Sequence, residues 1–295
     1  MGVLKENLQP KEYEEFNLEE CLDILFYVEG LTVDDLYEKL IITEEEKDLI
    51  SNGKEVPREV IEKIYNFCYS HNIFVNDIIW IQTKEELPNG EILLAHGSRK
   101  NIKGNIRLDA SGDSNDFANG FYCGESLKQA GMFISNEPES SLYTVRFNPK
   151  DLKAAKFNVS TNWMLAVAYF RETIDDYKNS PRIKNIISKI DECDYIIAPI
   201  ADNRMFQIID AFTEGQITDA QCKYALSYTN LGYQFVFKNQ KALDNLEVLN
   251  HLYLCNNEKN RYNISNQEES TTSLNKAIIA RKKFANIGNY INDIL

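Results

Sequence analysis

The sequence predicts an α+β protein in two unequal parts, a small all-helical module followed by a mixed, mainly antiparallel sheet. Three observations carry that expectation. At 295 residues, with 43% hydrophobic and 11% aromatic side chains, the chain can bury a substantial core in one large or two unequal domains. Its charge is divided: residues 1–87 hold 21 Asp and Glu against 8 Lys and Arg, and the rest of the chain holds 24 of each, so the net charge of −13 belongs to the first segment. Helical spacing before LPNG (87–90) gives way after it to short β runs with few helical connections, and the Pro and Gly there mark the boundary.

In the first part, Asn17 can cap a helix with Leu18, Cys21, Leu22 and Leu25 on one face, and Gly30 stops it. Thr32, followed by Asp34 and Asp35, opens a second helix through Leu36 and Leu40. Thr43 and Glu46 form a capping-box pattern for a third, which ends at Gly53. Pro57 at a first-turn position begins the longest, with Val60, Ile61, Ile64, Phe67 and Cys68 on one side. ISNGKEVPREVIEKIYNFCYSHNI resembles part of an Xre-type helix-turn-helix repressor domain. Its acidity opposes DNA binding, because such a surface repels phosphate. The plainest expectation is a helical cap with a solvated acidic face, and a degenerate module that docks a partner or the rest of its own chain is the functional alternative.

The second part opens with a buried strand, EILLAHGS, ending at His96, Gly97 and Ser98. Gly97 would let a ligand approach the backbone, and a polar loop follows. DFANGFYCGES supplies a second short strand centred on Phe121 and Tyr122. SLKQAGMFISN reads as a helix, SLYTVRFN as a strand, the stretch from Asn162 to Phe170 as an amphipathic segment, and DYIIAPIA and LGYQFVFK as two more strands. Phe117, Phe121 and Tyr143 read as core, and Phe133 and Phe147 need no ligand to explain them.

AHGS, DFANGFYCGE, DYIIAPIADNRMF and LGYQFVFK, in that order over about residues 92–248, resemble a bacterial ADP-ribosyltransferase-like domain family. It lies in the histidine–tyrosine–glutamate branch shared by diphtheria toxin and the poly(ADP-ribose) polymerases. The resemblance implies a split-sheet ADP-ribosyltransferase-like domain that uses NAD as substrate, cleaves its nicotinamide–ribose bond and transfers ADP-ribose to a macromolecular acceptor, protein or nucleic acid, as a toxin or defence effector. It further implies that His96 bonds the adenosine-side ribose, the Gly97 backbone holds the nicotinamide amide, Ser98 touches the same ligand and Tyr122 stacks on the nicotinamide ring.

Gln234 stands where the family has its catalytic glutamate. It can bond a ribose 2′-hydroxyl, but it carries no negative charge and cannot act as a general base. A full charge about 4 Å away is worth roughly 4 kcal/mol at an effective dielectric of 20, so the substitution implies altered chemistry. Asp202 and Arg204, just after DYIIAPIA, are either ligand-facing or a surface ion pair. Arg171 either meets a pyrophosphate or closes a helix. Asp116 and Glu125 read as loop solvation and a helix N-terminal charge.

Other chemistry finds no support. GxGxxG, GxxxxGK[ST] and GxSxG are absent, and His71, His96 and His251 do not stand at zinc-ligand spacing with the six scattered cysteines, so no metal is expected. Without a CxxC pair, the cysteines fit buried thiols in a reducing compartment. No run of 18 apolar residues and no signal-type N-terminus occurs, which predicts a cytoplasmic protein without a membrane partner. Residues 256–272 read as a polar linker and 273–295 as a C-terminal amphipathic helix, leaving 1–87 and 88–255 as the two domains. The competing functional expectation is a non-catalytic sensor of NAD or ADP-ribose that signals through the helical module.

Overall fold

A computed structural model describes residues 18–51, 56–111, 115–138, 140–227, 232–285 and 287–295. The first five elements are helices: α1 (Leu18–Glu29), α2 (Val33–Leu40), α3 (Glu44–Ser51), α4 (Arg58–Ser70) and α5 (Val75–Glu85). Their ends are set by local chemistry. Gly30 ends α1 with φ at 65°. Thr32 with Asp35, and Thr43 with Glu46, exchange side-chain and backbone bonds as capping boxes at the starts of α2 and α3. Pro57 sits at the N-cap of α4. The expected cap at Asn17 and stop at Gly53 lie outside the described residues.

The remaining elements build the mixed α+β part. They are β1 (Ile92–Ser98), β2 (Phe121–Gly124), α6 (Leu127–Ile134), β3 (Ser141–Phe147), β4 (Ala154–Lys156), α7 (Thr161–Phe170), α8 (Pro181–Asp191), β5 (Tyr195–Pro199), α9 (Asn203–Thr213), α10 (Asp219–Leu226), β6 (Tyr233–Phe237), α11 (Gln240–Leu243), β7 (Leu246–Leu252), α12 (Asn256–Lys283) and α13 (Ile291–Ile294). The seven strands run in the order β4-β5-β6-β2-β1-β3-β7. Among the described residues, only β4 and β5 pair in parallel; the other neighbours are antiparallel. Helical connections are more numerous than the sequence suggested, since α7, α8, α9 and α10 all fall between β4 and β6. The Asn162–Phe170 segment also differs from the amphipathic expectation: α7 is buried almost all round, from Trp163 to Ala168.

Side-chain alternation along the strands divides the core. Leu94, Phe121, Tyr143, Phe147, Phe235 and Phe237 lie on one face and pack under α11. On the other face, Ala95, Leu142 and Leu252 join α6, α12 and the N-terminal helices in one continuous cluster. Ile196, Ala198 and Val236 on that same face join α7, α8, α9 and α10.

The acidic helices therefore share a core with the sheet, and polar contacts reinforce the join. Asn76 donates to the Tyr253 carbonyl at 2.8 Å and to Glu258 at 2.7 Å, the Tyr253 hydroxyl donates to Glu62 at 2.6 Å, and Arg261 pairs with Asp77 at 3.2 Å. The linker expectation for 256–272 is corrected. Those residues form most of the single 28-residue helix α12, which continues past 273 without a break. Their polarity misled because, among the side chains described there, few are buried, notably Glu258 and Tyr262. At the C-terminus Ile291 is buried, whereas Ile278 and Ile287 are exposed. Among the described residues, no helix is long and apolar enough to cross a membrane.

Candidate functional site

β1 and β2 are joined at a single register position, Ala95 opposite Gly124, whereas β1 pairs with β3 along its whole length. The sheet is thus nearly divided into two halves at this seam. One row crosses it: Ala198, Gln234, Gly124, Ala95, Thr144 and Asn250 on β5, β6, β2, β1, β3 and β7. His96 and Gly97 stand one and two residues beyond this row, and Tyr122 two residues before it. At about 4.8 Å between strands, Gln234 and Gly97 are on the order of 10 Å apart across the sheet.

Where backbone pairing between β1 and β2 lapses, the His96 ring bridges the gap. Its Nδ1 lies 2.7 Å from the Tyr122 carbonyl, and the ring stacks on Phe121 with centroids 4.3 Å apart. A carbonyl can only accept, so Nδ1 carries the hydrogen and Nε2 keeps a lone pair. Desolvation lowers the His96 pKa to about 4, which leaves the ring neutral at physiological pH. By strand alternation His96 and Phe121 face one side of the sheet, and Tyr122 and Gln234 the other.

Gly97 has a packing reason for lacking a side chain. A Cβ there would meet the Ala130 carbonyl oxygen of α6 at 2.5 Å and Ile134 at 3.1 Å. On that side the glycine admits a helix, a packing reason for its bareness that stands beside the expected ligand role. Ser98 is half-buried, and its hydroxyl accepts from the Lys100 N–H at 3.4 Å.

Tyr122 is anchored through its hydroxyl, which donates to the Ala118 carbonyl at 2.7 Å and accepts from the Phe117 N–H at 3.2 Å. Burial raises its pKa. Lys238 clamps the same turn, donating to the Phe117 and Asn119 carbonyls at 2.7 and 2.9 Å. Two side chains thus fix a segment in which Ala118 has φ of 56°.

That turn delivers Asp116 into the protein, and here the reading of Asp116 as loop solvation is overturned. Asp116 is 5% exposed and lies at the centre of a polar network. Arg171, at the end of α7, donates from Nε at 3.0 Å and Nη2 at 2.5 Å to Oδ1. The Ala201 N–H donates to Oδ2 at 2.9 Å, and so does Gln234 Nε2 at 2.7 Å. Burial pushes the Asp116 carboxyl up, opposed first by the Arg171 charge and then by these hydrogen bonds. Arg171 also donates to the Ala201 carbonyl at 2.8 Å and lies 4.3 Å from the Phe206 ring centre. It therefore does more than close α7, and its donors point inward.

Gln234 is 7% exposed, and its second amide hydrogen goes to the Pro199 carbonyl at 3.1 Å. With both hydrogens committed, the group it can offer a ligand is its carbonyl oxygen. Asp202 and Arg204 have structural work. Asp202 caps α9 by accepting from the Arg204 and Met205 N–H groups at 3.0 and 2.8 Å, and Arg204 donates to Asn266 of α12 at 2.7 Å. Their mutual pair, at 3.4 Å, is only partly exposed. Glu125 is exposed, beside the start of α6.

The structure brings together His96, Gly97, Tyr122 and Gln234, adds Asp116 and Arg171, and leaves Asp202 and Arg204 as the braces of the neighbouring helix. Asp116 carried no sequence signal beyond its place a few residues before a candidate aromatic ring-stacker. Among the described residues, no group of three or more His, Cys, Asp or Glu side chains is arranged to hold a metal ion.

A family model described as "Protein of unknown function (DUF3990)" matches residues 92–248, more than half of the chain. That span begins with β1 and ends within β7, so it takes in the whole site. No curated protein and no solved structure matches the chain.

Proposed function

We propose, for a chain that belongs to the DUF3990 family, that it is an NAD-dependent ADP-ribosyltransferase. The observation that carries this reading is the convergence of His96, Gly97, Tyr122 and Gln234, from three separate strands, within two residues of the one row where β1 and β2 meet. These are the positions the resemblance to the histidine–tyrosine–glutamate branch singles out. His96 faces the side of the sheet opposite to Tyr122 and Gln234, and its ring fills the gap between β1 and β2, so an elongated dinucleotide that reaches all three meets them from the two sides of the sheet.

In the reaction, the bond between nicotinamide and C1′ of its ribose breaks and its electron pair leaves with nicotinamide. A nucleophile on the acceptor then attacks the oxocarbenium carbon with a lone pair and releases its proton to solvent. The chain's own groups bind and orient. Neutral His96 offers Nε2 as an acceptor to a ribose hydroxyl, the anchored Tyr122 ring offers a stacking face, and Gln234 Oε1 accepts the 2′-hydroxyl hydrogen, a bond that tightens as charge develops. Pre-set rotamers keep the entropic cost of binding low. No charge is delivered by Gln234 itself, so turnover is expected to be slower than in a glutamate enzyme.

Incubation with NAD⁺ labelled in the adenylate and with cell extract is expected to release nicotinamide and label a macromolecule. Wild-type protein that does neither rules the transferase out. The neutrality of Gln234 favours a second reading, a sensor that binds NAD⁺ or ADP-ribose without turnover. Calorimetric binding of NAD⁺ with no nicotinamide release selects it.

A further inference from the structure

We infer that Asp116 is a positioning residue, held by Arg171, that fixes the Gln234 amide with its oxygen presented to the ligand and that requires residue 234 to be glutamine. The inference deepens the ADP-ribosyltransferase reading and rests on it for the role of the presented oxygen.

Hydrogen-bond capacity sets the orientation. A carboxylate accepts about four hydrogen bonds and donates none. Asp116 has four short N–H contacts: two from Arg171 at 3.0 and 2.5 Å, one from the Ala201 backbone at 2.9 Å and one from Gln234 Nε2 at 2.7 Å. Its capacity is filled, and every partner is a donor. Gln234 could in principle rotate its amide to exchange nitrogen and oxygen. Rotation would set Oε1 against the Asp116 oxygen and against the Pro199 carbonyl, which is 3.1 Å from Nε2 now. Two acceptors would then face an acceptor, so the orientation is single-valued.

The same geometry excludes glutamate at this position while Asp116 is ionised. A second carboxylate 2.7 Å from the first could not remain ionised beside it, and the pair would hold a shared proton. The negative charge sits one hydrogen bond behind the position that meets the ribose, balanced by the Arg171 guanidinium. That guanidinium is itself fixed by the Ala201 carbonyl at 2.8 Å and by the Phe206 ring. The turn carrying Asp116 is tied to the Tyr122 hydroxyl through Phe117 and Ala118, so one short segment sets both the ring and the amide.

The test is a double-mutant cycle of D116N, Q234E and the exchange variant D116N/Q234E, read by nicotinamide release, by urea unfolding and by the side-chain amide signals of residue 234 in a ¹H–¹⁵N spectrum. Q234E alone is expected to lower kcat about tenfold at neutral pH, and D116N alone by a similar factor with KM nearly unchanged. In the exchange variant the two carboxylates no longer face each other, but the amide introduced at position 116 meets the Ala201 N–H and the carboxylate introduced at position 234 meets the Pro199 carbonyl, so the two losses are expected to combine less than multiplicatively without restoring wild-type kcat. The Gln234 amide signals are expected to move in D116N. Losses that multiply in the exchange variant, with Gln234 signals unmoved in D116N, overturn the inference. Wild type that releases no nicotinamide removes the transferase reading; the unfolding cycle then decides the positioning alone, with a non-additive exchange supporting it and an additive one rejecting it.

Discussion

Asp116 and Glu258 are two buried carboxylates, each bonded to a side-chain amide and accompanied by an arginine, yet they are solvated differently by the protein. Arg171 reaches Asp116 at 2.5 Å, and a backbone N–H and Gln234 fill the remaining lone pairs. Glu258 takes hydrogen bonds from Asn76 at 2.7 Å and the Tyr262 hydroxyl at 2.9 Å, but Arg261 stands 3.8 Å away and is nearer to Asp77. Burial pushes both carboxyls up, and the Glu258 pKa reaches about 7. The contrast shows what a buried acid is used for. Surrounded by donors, Asp116 is a fixed anchor for the candidate site; with fewer of them, Glu258 is a titrating seam between the N-terminal helices and α12.

The largest effect that can break this comparison is at Asp116. Asp116→Ala leaves a mostly buried guanidinium without its partner and is expected to cost about 3–5 kcal/mol in urea unfolding. Asn76→Ala, which removes two hydrogen bonds at the Glu258 seam, is expected to cost about 1–3 kcal/mol. Equal losses would show that the two networks do the same work.

Next comes Gly97→Ala. The added carbon would sit 2.5 Å from a backbone carbonyl of α6, which cannot swing aside as a side-chain tip would. A cost of about 1–3 kcal/mol is expected, together with a loss of NAD⁺ affinity as β1 moves from α6. Full stability in this variant would leave Gly97 with only the ligand-facing role the sequence suggested.

The Glu258 seam is sharpened by pH. Its folded pKa of about 7 lies above the ordinary glutamate value of 4.5, so the native state binds its proton more tightly than the unfolded chain. The contribution is fully present below pH 4.5 and is lost as pH rises through about 7. The groups facing it are Asp77, which opposes ionisation, and Tyr262, Arg261 and Asn76, which favour it. Glu258→Gln is expected to flatten this part of the stability profile and to leave the protein more stable than wild type above about pH 7, as read by thermal unfolding across that range.

These contrasts also show which parts of the molecule are legible from sequence. Strands and caps are local, so EILLAHGS, LGYQFVFK and the Thr32 and Thr43 boxes declare themselves through alternation and spacing. His96, Tyr122 and Gln234 stand out as candidates through the ordered segments around them, and their strand positions near the β1–β2 seam follow from those segments. Asp116 is not, because its role depends on Arg171, Ala201 and Gln234, whose sequence separations of 55, 85 and 118 residues no local pattern reports. α12 was hidden for a different reason: few of its described side chains are buried, and a mostly polar helix looks like a linker by composition. Asp202 and Arg204 were legible as a pair, but their work, capping α9 and tying it to Asn266, depends on that hidden helix.

The smallest expected effect separates anchor from ligand group at Tyr122. Its hydroxyl is spent on Ala118 and Phe117, so Tyr122→Phe removes an internal tie and keeps the ring. One net hydrogen bond is worth about 1 kcal/mol, and the loss should appear as a small drop in unfolding free energy. Stacking depends on the ring face, so NAD⁺ affinity measured by calorimetry is expected to fall only about twofold to threefold, through a less firmly set turn. Because that turn also carries Asp116, the Gln234 amide signals should shift in the same variant. A large affinity loss with unmoved Gln234 signals would make the hydroxyl itself the ligand group and separate the two halves of the site.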